Sequence, residues 1–262
     1  MTIPADLIRE HKSLGPWAIL MAYCGSIAHG MYVPSKDPNS IDDKDVKVIC
    51  VPPTEYYLGL RQFGSRGTQE IKRNEWDIVA YEARKAISLL AQGNPNMLTL
   101  LWALPNHYIH VSAAGQLLQA HRYVFVGRHV YRSFVGYATS QLHKMTRQKF
   151  EGYMGEKRKA LVEQHGYDTK NAAHLIRLLR MGIEFLKDGD LYIMRHDAAE
   201  LMAIKQGGWT LERVKAEADR LFKVAEETYL ASTLPVGPDM DRVNSLAVDV
   251  VQTAWKEQRT LP

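Results

Sequence analysis

Cysteine is scarce in this chain, which has Cys24 and Cys50 in 262 residues. Each lies in an apolar run, and the sequence contains no CxxC pair or Cys/His cluster, so we expect two buried, reduced thiols and no zinc site. Long apolar runs are also missing, since none approaches the roughly 18 residues that a membrane-spanning helix needs. The first residues carry charges and no signal-peptide core. We therefore expect a soluble, cytoplasmic protein without a membrane partner.

Neither sign of charge dominates, because 33 Lys and Arg residues stand against 29 Asp and Glu, a net charge of +4. Apolar residues make up 46% and charged residues 24%, which is ordinary globular usage and excludes disorder, collagen-like repeats and a coiled coil as the main architecture. The mild basicity is compatible with a nucleic acid or a nucleoside triphosphate as partner but requires neither.

Strand patterns are confined to the first 110 residues. They occupy residues 17–24, 43–51 and 75–81. The first is a continuous apolar run that stops at Gly25, as expected of a central strand covered on both faces, and the other two alternate. Residues 61–74 are polar and basic, which predicts an exposed connection.

Helical patterns dominate the rest of the chain. A short helix is predicted at 3–13, and helical periodicity begins again at Glu82. Beyond residue 110 the predicted helices are 113–121, 128–147, 155–164, 169–187, 197–206, 210–232 and 240–257. This change predicts an α/β domain at residues 1–110 and a mostly helical domain at 111–262.

Three acidic residues accompany the predicted strands. Period two places Asp43 and Asp45 on one face of the second strand, while Asp77 lies in the third. If these strands are neighbours, the carboxylates meet at one edge of the sheet beside the turn Gly25-Ser26. Mg²⁺ prefers oxygen ligands, and two such ions about 3.5–4 Å apart activate a nucleophile and stabilise a leaving pyrophosphate. A Gly-Ser turn supplies backbone N–H groups and a hydroxyl to phosphates. Each pattern alone is common in solvated strand ends, so the combination carries the prediction.

Residues 25–30 (GSIAHG), followed by Asp43-x-Asp45, resemble the DNA polymerase β-type nucleotidyltransferase superfamily. Residues 93–96 (GNPN) and 174–180 (HLIRLLR) resemble one of its branches, the RNA-repair-associated family called RlaP. The resemblance extends over about residues 20–210. It implies an α/β nucleotidyltransferase domain with a mixed sheet, followed by a mostly α-helical domain.

The resemblance also implies an activity, the transfer of a nucleoside monophosphate from an NTP with two Mg²⁺ ions and release of pyrophosphate. By this resemblance Gly25 and Ser26 hold the triphosphate, and Asp43 and Asp45 hold the metals. Asp77 is the third carboxylate, a metal ligand placed to help deprotonate the attacking hydroxyl.

Two of these assignments have rivals in the sequence. Asp42 stands where the family has Ser, so Asp42 and Asp43 compete for the metal role, although the D-x-D pattern favours Asp43. Glu75 is a rival to Asp77, since both lie on one face of the third strand. Both alternatives stay open at the level of sequence.

Basic residues supply further candidates. Lys170, His174 and Arg177 share one helical face, which is either a phosphate-binding stripe or a solvated surface. The resemblance favours nucleotide binding by Lys170 and Arg177. His29 in the glycine-rich turn either contacts the nucleotide or is simply exposed. A cluster within residues 61–73 (Arg61, Arg66, Lys72, Arg73) either grips a nucleic-acid backbone or is ordinary surface.

Two classes of function follow. The first is a Mg²⁺-dependent nucleotidyltransferase whose acceptor is an RNA end of tRNA-like kind, with a protein or a small molecule as alternative acceptors. The second is a non-catalytic scaffold that binds RNA or a partner, because a fold does not by itself establish an activity. Convergence of the three carboxylates favours the enzyme.

Overall fold

A computed structural model of the chain describes residues 2–34, 37, 40, 42–146 and 156–260. Its strands are β1 (Ala18–Tyr23), β2 (Lys44–Cys50), β3 (Thr68–Arg73), β4 (Trp76–Glu82) and β5 (Tyr108–Val111). They form one mixed sheet in the order β3-β4-β2-β1-β5, in which β2 and β4 are parallel and the other pairs antiparallel. The mixed sheet expected for the N-terminal part is therefore confirmed.

Helices account for most of the remaining chain. They are α1 (Ala5–Glu10), α2 (Gly25–Ala28), α3 (Ala83–Ala91), α4 (Pro95–Leu101), α5 (Ala113–Ala120), α6 (Val130–Thr146), α7 (Glu156–His165), α8 (Thr169–Asp188), α9 (Ala198–Lys205), α10 (Leu211–Ala231) and α11 (Met240–Thr260). All seven helices predicted beyond residue 110 are present. Residues 147 and 155, a predicted helix end and a predicted helix start, lie outside the described residues.

The strand β1 is buried along its whole length, which agrees with a central strand covered on both faces. One face contributes to a large apolar cluster with the helices, where Leu20 and Val250 belong to the same core. The other face packs in a smaller cluster that includes Leu7 of α1. The C-terminal helix α11 is hydrogen-bonded to the segment after β2, since Trp255 Nε1 donates to the carbonyl of Pro52 over 3.1 Å. The core thus continues across residue 110, and the division into two domains there stays a prediction.

Two edge strands differ from the sequence-based expectation. Residues 61–74 are not simply an exposed connection, because β3 occupies Thr68–Arg73. Only Ile71 in it is buried, and β4 is its one partner in the sheet. An edge strand tolerates polar and basic side chains, so its apolar alternation is weak. The four-residue β5 at the other edge is too short to give a pattern.

Both cysteines are buried and free, as expected. Among the described residues, the helices are all too short or too polar to cross a lipid bilayer.

Candidate active site

A cleft of about 320 Å³ opens where β2 and β4 begin, between that end of the sheet and α8. All eight residues predicted for the site line it: Gly25, Ser26, His29, Asp43, Asp45, Asp77, Lys170 and Arg177. They lie in or directly beside α2, β2, β4 and α8, so the fold joins segments more than 100 positions apart in the chain.

The carboxylates are brought together by strand register. Asp45 on β2 is paired directly with Asp77 on the parallel strand β4. Asp43 lies two positions before Asp45 and is exposed, while the other two are half-buried. Burial raises the pKa of Asp45, and the negative charges of Asp77 and Asp43 raise it further, against the opposing effect of nearby lysines. Asp45 therefore lies close enough to the other two carboxylates to interact with their charge.

The carboxylates are not arranged around a common metal position. Among the residues that the structure describes, no group of three His, Cys, Asp or Glu side chains is placed to hold a metal ion. Asp77 Oδ2 lies instead 3.3 Å from the ammonium of Lys72. The donor set still suits Mg²⁺, because carboxylate oxygens are hard ligands and the mutual repulsion at Asp45 is what a cation relieves.

The Gly-Ser turn is fitted closely to β2. Gly25 has φ +56°, and a Cβ there would lie 2.0 Å from Asp45 Oδ2. The preceding amide, that of Cys24, donates to the carbonyl of Asp45 over 2.9 Å. Glycine is thus required at position 25 both by backbone conformation and by the carboxylate beside it.

Several buried polar atoms in the cleft have no hydrogen-bond partner among the described residues. They are Ser26 Oγ, Asp42 Oδ1, His174 Nε2 and Arg177 Nε. Buried polar atoms in native proteins are almost always hydrogen-bonded, and each exception needs a reason. Asp42 Oδ1 still has the ammonium of Lys170 at 3.9 Å, so the other three exceptions are the ones that indicate a site built for a polar ligand.

The basic face of α8 borders the cleft, as expected of a stripe that faces a binding site rather than bulk solvent. The helix begins at a side-chain cap, since Asp168 Oδ1 accepts from the amide of Asn171 over 3.2 Å. Lys170, His174 and Arg177 then project into the cleft from successive turns. Burial and the positive charges of its neighbours hold the pKa of His174 well below its ordinary value, so this imidazole is neutral near pH 7.

His29 is buried, which excludes the alternative that it is simply an exposed turn histidine. Its Nδ1–H donates to the carbonyl of Ile193 over 2.9 Å, and its Nε2 accepts from Arg177. Burial and the charge of Arg177 keep the pKa of His29 well below its ordinary value. Burial and the neighbouring Arg195 lower the pKa of Arg177 to about 9. A neutral imidazole therefore fixes the position of a buried guanidinium.

Sequence reasoning missed Lys47 and the residues of α4. Lys47 follows Asp45 by two positions, so it shares the face of the carboxylates and lines the cleft. The same period that grouped the aspartates would have found it. Asn96 and Thr99 also line the cleft, and Asn94 positions them by capping α4, accepting from the Asn96 amide over 3.0 Å. The GNPN motif was the available signal.

The rival carboxylates have other partners. Asp42 Oδ2 accepts from Lys205 Nζ at 2.5 Å and from the amide of Val33 at 3.0 Å. Glu75 Oε1 accepts from Lys44 Nζ at 2.5 Å and does not line the cleft. Asp42 thus ties the loop before β2 to α9, and Glu75 lies outside the site.

The basic cluster within residues 61–73 is largely engaged in ion pairs. Arg61 lies 3.1 Å from Glu55, and Arg73 lies 2.7 Å from Asp6. Lys72, already noted beside Asp77, is 68% exposed at the mouth of the cleft. Of this cluster, Lys72 is the residue that the structure ties to the cleft.

Comparison with known proteins identifies the family of the chain. A family model described as RlaP, the RNA repair pathway DNA polymerase beta family, matches residues 5–249. No curated protein matches. A solved structure described as a nucleotidyltransferase-like protein from Exiguobacterium sibiricum 255-15 is similar at 9% identity and a TM-score of 0.30, over 96% of this chain and 73% of that one. The family match spans both the sheet and the helical region.

Proposed function

We propose, from the premise that this chain belongs to the RNA repair pathway DNA polymerase β family, that it transfers a nucleoside monophosphate from an NTP to a hydroxyl of RNA. The observation that carries the proposal is the meeting of Asp43, Asp45 and Asp77 beside the Gly25-Ser26 turn in one cleft. Three orphaned polar atoms in the same cleft support it, since Ser26 Oγ, His174 Nε2 and Arg177 Nε can donate to a triphosphate, which is rich in hydrogen-bond acceptors.

The turn and α8 bind the nucleotide in this scheme. Backbone N–H groups at Gly25 and the hydroxyl of Ser26 donate to the phosphates, and Lys170 and Arg177 add positive charge. The neutral His29 acts on the nucleotide through Arg177, whose guanidinium it holds in place.

The carboxylates act on the metal and on the acceptor. Asp43, Asp45 and Asp77 are the residues that would hold two Mg²⁺ ions, which supply charge neutralisation at the reacting phosphate and the leaving group. The oxygen of the acceptor hydroxyl bonds to the α-phosphorus, and Asp77 accepts the proton that this hydroxyl loses. The bond from that phosphorus to the α–β bridging oxygen breaks, and pyrophosphate leaves with the electron pair. Asp77 must part from Lys72 to do this.

RNA is the acceptor that the family description favours. The mouth of the cleft suits a strand end, because Asp43 is exposed there and Lys72 adds an exposed cation. Lys144 at the end of α6 is also exposed and lies near enough to influence His174. Phosphates of a bound strand are contacted by such lysines.

The test is incubation of the full chain with Mg²⁺, each α-labelled NTP and total cellular RNA, followed by digestion with nuclease or protease. Asp43→Asn and Asp77→Asn should each abolish labelling of RNA. Glu75→Gln is the matched control, since it also turns a carboxylate into an amide but outside the cleft. It should keep at least half of the activity.

Other outcomes redirect or overturn the proposal. Label that survives nuclease but not protease would move the acceptor to a protein side chain. Label in a small molecule of the extract would favour that acceptor class. Tight RNA binding without labelling by any NTP would overturn the transferase and favour the scaffold. Loss of activity in Glu75→Gln alone would exchange the roles of Glu75 and Asp77.

A further inference from the structure

A small pocket lies at the end of β4 that is remote from the candidate site. Its volume is about 230 Å³, and four cations line it, Arg61, Arg66, Arg84 and Lys85. Among the described residues that line this pocket, Glu82 at the end of β4 is the one carboxylate, and Arg84 Nε lies 3.2 Å from it. The pocket therefore has a net positive charge, which suits a phosphate group.

Two cations of this pocket lack a counter-charge. Arg61 and Arg84 are each paired with a carboxylate. Within the described part of the chain, by contrast, the side chains of Arg66 and Lys85 have neither an ion pair nor a hydrogen bond. Lys85 is half-buried, and its Cβ lies 3.0 Å from where a Cβ at Gly67 would be, so the base of this side chain packs against the glycine. Both charges are thus available to an anion.

Arg66 lies at the tip of a tight hairpin. The amide of Ser65 donates to the carbonyl of Thr68 over 2.8 Å, and the amide of Thr68 donates back over 3.1 Å. The two residues between them, which form the hairpin tip, have positive φ, +52° at Arg66 and +81° at Gly67. Turns of this kind favour Asn-Gly, and a left-handed conformation strains an arginine. Turn geometry therefore does not account for an arginine at this position.

A half-open strip of the sheet connects the hairpin tip with the candidate site. On β4 it consists of three half-buried residues, Asp77, Val79 and Tyr81. Their partners on β3 are Lys72, Glu70 and Thr68. Thr68 and Lys72 are four residues apart, which corresponds to about 13 Å of strand. A stacked nucleic-acid strand advances about 3.4 Å per nucleotide, so about four nucleotides span the strip.

We infer that Arg66 and Lys85 bind a backbone phosphate of the RNA whose end lies in the cleft. The inference deepens the proposed function and rests on it for the identity of the polymer. The strand leaves the cleft beside Lys72, follows the strip and reaches the pocket at the hairpin tip. Glu70, exposed in the middle of the strip, repels this strand. Such a phosphate contact positions the acceptor and does not select bases.

The experiment is fluorescence anisotropy of the full chain with a labelled RNA dodecamer and a labelled RNA trinucleotide. In about 0.1 M salt, each phosphate contact to a single strand contributes about fivefold in affinity through counterion release. Arg66→Asn and Lys85→Met should each weaken dodecamer binding by about this factor. Neither should affect the trinucleotide, which is too short to reach from the cleft to the pocket. Glu70→Gln should strengthen dodecamer binding, because it removes the repelling charge.

A matched control and a folding measurement accompany these variants. Lys187→Met removes an exposed charge in the last turn of α8, whereas Lys170 in the first turn borders the cleft. This control should bind both RNAs as wild type does. Arg66→Asn should be at least as stable as wild type in urea unfolding, because asparagine adopts positive φ more readily than arginine. Weaker RNA binding at unchanged stability then reports the lost contact.

Several results would overturn the inference. Unchanged dodecamer binding in Arg66→Asn and Lys85→Met would do so, as would equal losses for the dodecamer and the trinucleotide. Dodecamer binding that Glu70→Gln does not strengthen would contradict the path over the strip. If a poly-glutamate peptide bound wild type more tightly than the dodecamer did, and lost that binding in Lys85→Met, the pocket would belong to an acidic protein instead.

The outcomes separate this inference from the proposed function. Dodecamer binding that depends on Arg66 and Lys85, without transfer from any NTP, would leave the RNA surface standing and refute the transferase. Transfer to RNA together with unaltered binding in both variants would keep the transferase and refute the surface.

Discussion

Replacing Gly25 by alanine perturbs the point where the turn and the carboxylates touch. The residue has φ +56°, a conformation in which an L-residue is strained by roughly 1–2 kcal/mol. The new Cβ would also lie 2.0 Å from Asp45 Oδ2, well inside the ordinary contact distance of 3.4–4 Å. The carboxylate must therefore move by more than 1 Å, or the turn must.

The two consequences have different sizes. Backbone strain predicts a loss of about 1–2 kcal/mol in the free energy of unfolding, which corresponds to a fall of several °C in Tm for a chain of this size. A displacement of about 1 Å in a catalytic group can lower a rate by about a hundredfold. We therefore expect a protein that is folded and mildly destabilised but loses about 99% of its transfer activity.

The assay pairs urea unfolding with single-turnover transfer of labelled nucleotide. Gly136→Ala is the control, because Gly136 is exposed in α6 and a Cβ there meets nothing within 4 Å. That variant should gain up to about 1 kcal/mol from helix propensity and keep its activity. If Gly25→Ala kept the wild-type rate and stability, the close contact between the turn and Asp45 would not be required. If both variants lost activity equally, the loss in Gly25→Ala could not be assigned to that contact.

Three further changes have distinct expected effects. Ser26→Ala deletes a buried hydroxyl without a described hydrogen-bond partner, so urea unfolding should show no loss of stability. Calorimetry should show NTP binding at least about tenfold weaker, and unchanged binding would contradict the assignment of Ser26 to the nucleotide. Asp42→Asn leaves the ammonium of Lys205 buried without its counter-charge and should cost about 3 kcal/mol in unfolding, and an unchanged urea midpoint would argue against the pair. Burial tends to raise the pKa of Asp197, but hydrogen bonds from Arg195 and Arg180 hold it below the ordinary value of 3.8. This stabilisation is present above pH 3.8 and is lost as the pH falls through the lower folded-state value. Arg180→Met should thus be less stable at pH 7 and lose less stability than wild type between pH 4 and lower pH, as measured by urea unfolding; parallel pH curves would refute the coupling.

Long helices and buried strands were predictable from the sequence, because one apolar helix face or one continuous apolar run is enough to identify them. The helix α8 and the apolar strand β1 were predicted to within a residue or two at each end. The edge strand β3 was not, since one buried residue in six gives no alternation and its ladder depends on β4. An edge strand of this kind forms because it pairs with a neighbouring strand, and no local sequence pattern indicates that pairing.

The candidate site divides in the same way. Asp43 and Asp45 follow from strand period, and the same period would have yielded Lys47. The contact of His29 with Arg177 joins residues 148 positions apart, and the ion pair of Asp42 with Lys205 joins residues 163 apart. Whether a histidine is exposed or an aspartate is neutralised depends on what the fold brings to it from that distance. The structure shows that Asp42 is paired with Lys205, whereas the assignment of the metal role to Asp43 stays a prediction.

The two arginines of α8 show how one helix serves both the fold and the site. Arg180 binds three carboxylates, those of Asp197, Glu200 and Glu217, at 2.7, 2.6 and 3.3 Å. Arg177, less than one turn earlier, is more deeply buried and has none within ion-pair distance among the described residues. If both charges served stability alone, the more deeply buried one would need the better partners. Under the proposed function, an anion that enters the cleft compensates the charge of Arg177, so we predict that ligand binding raises the free energy of unfolding of this protein.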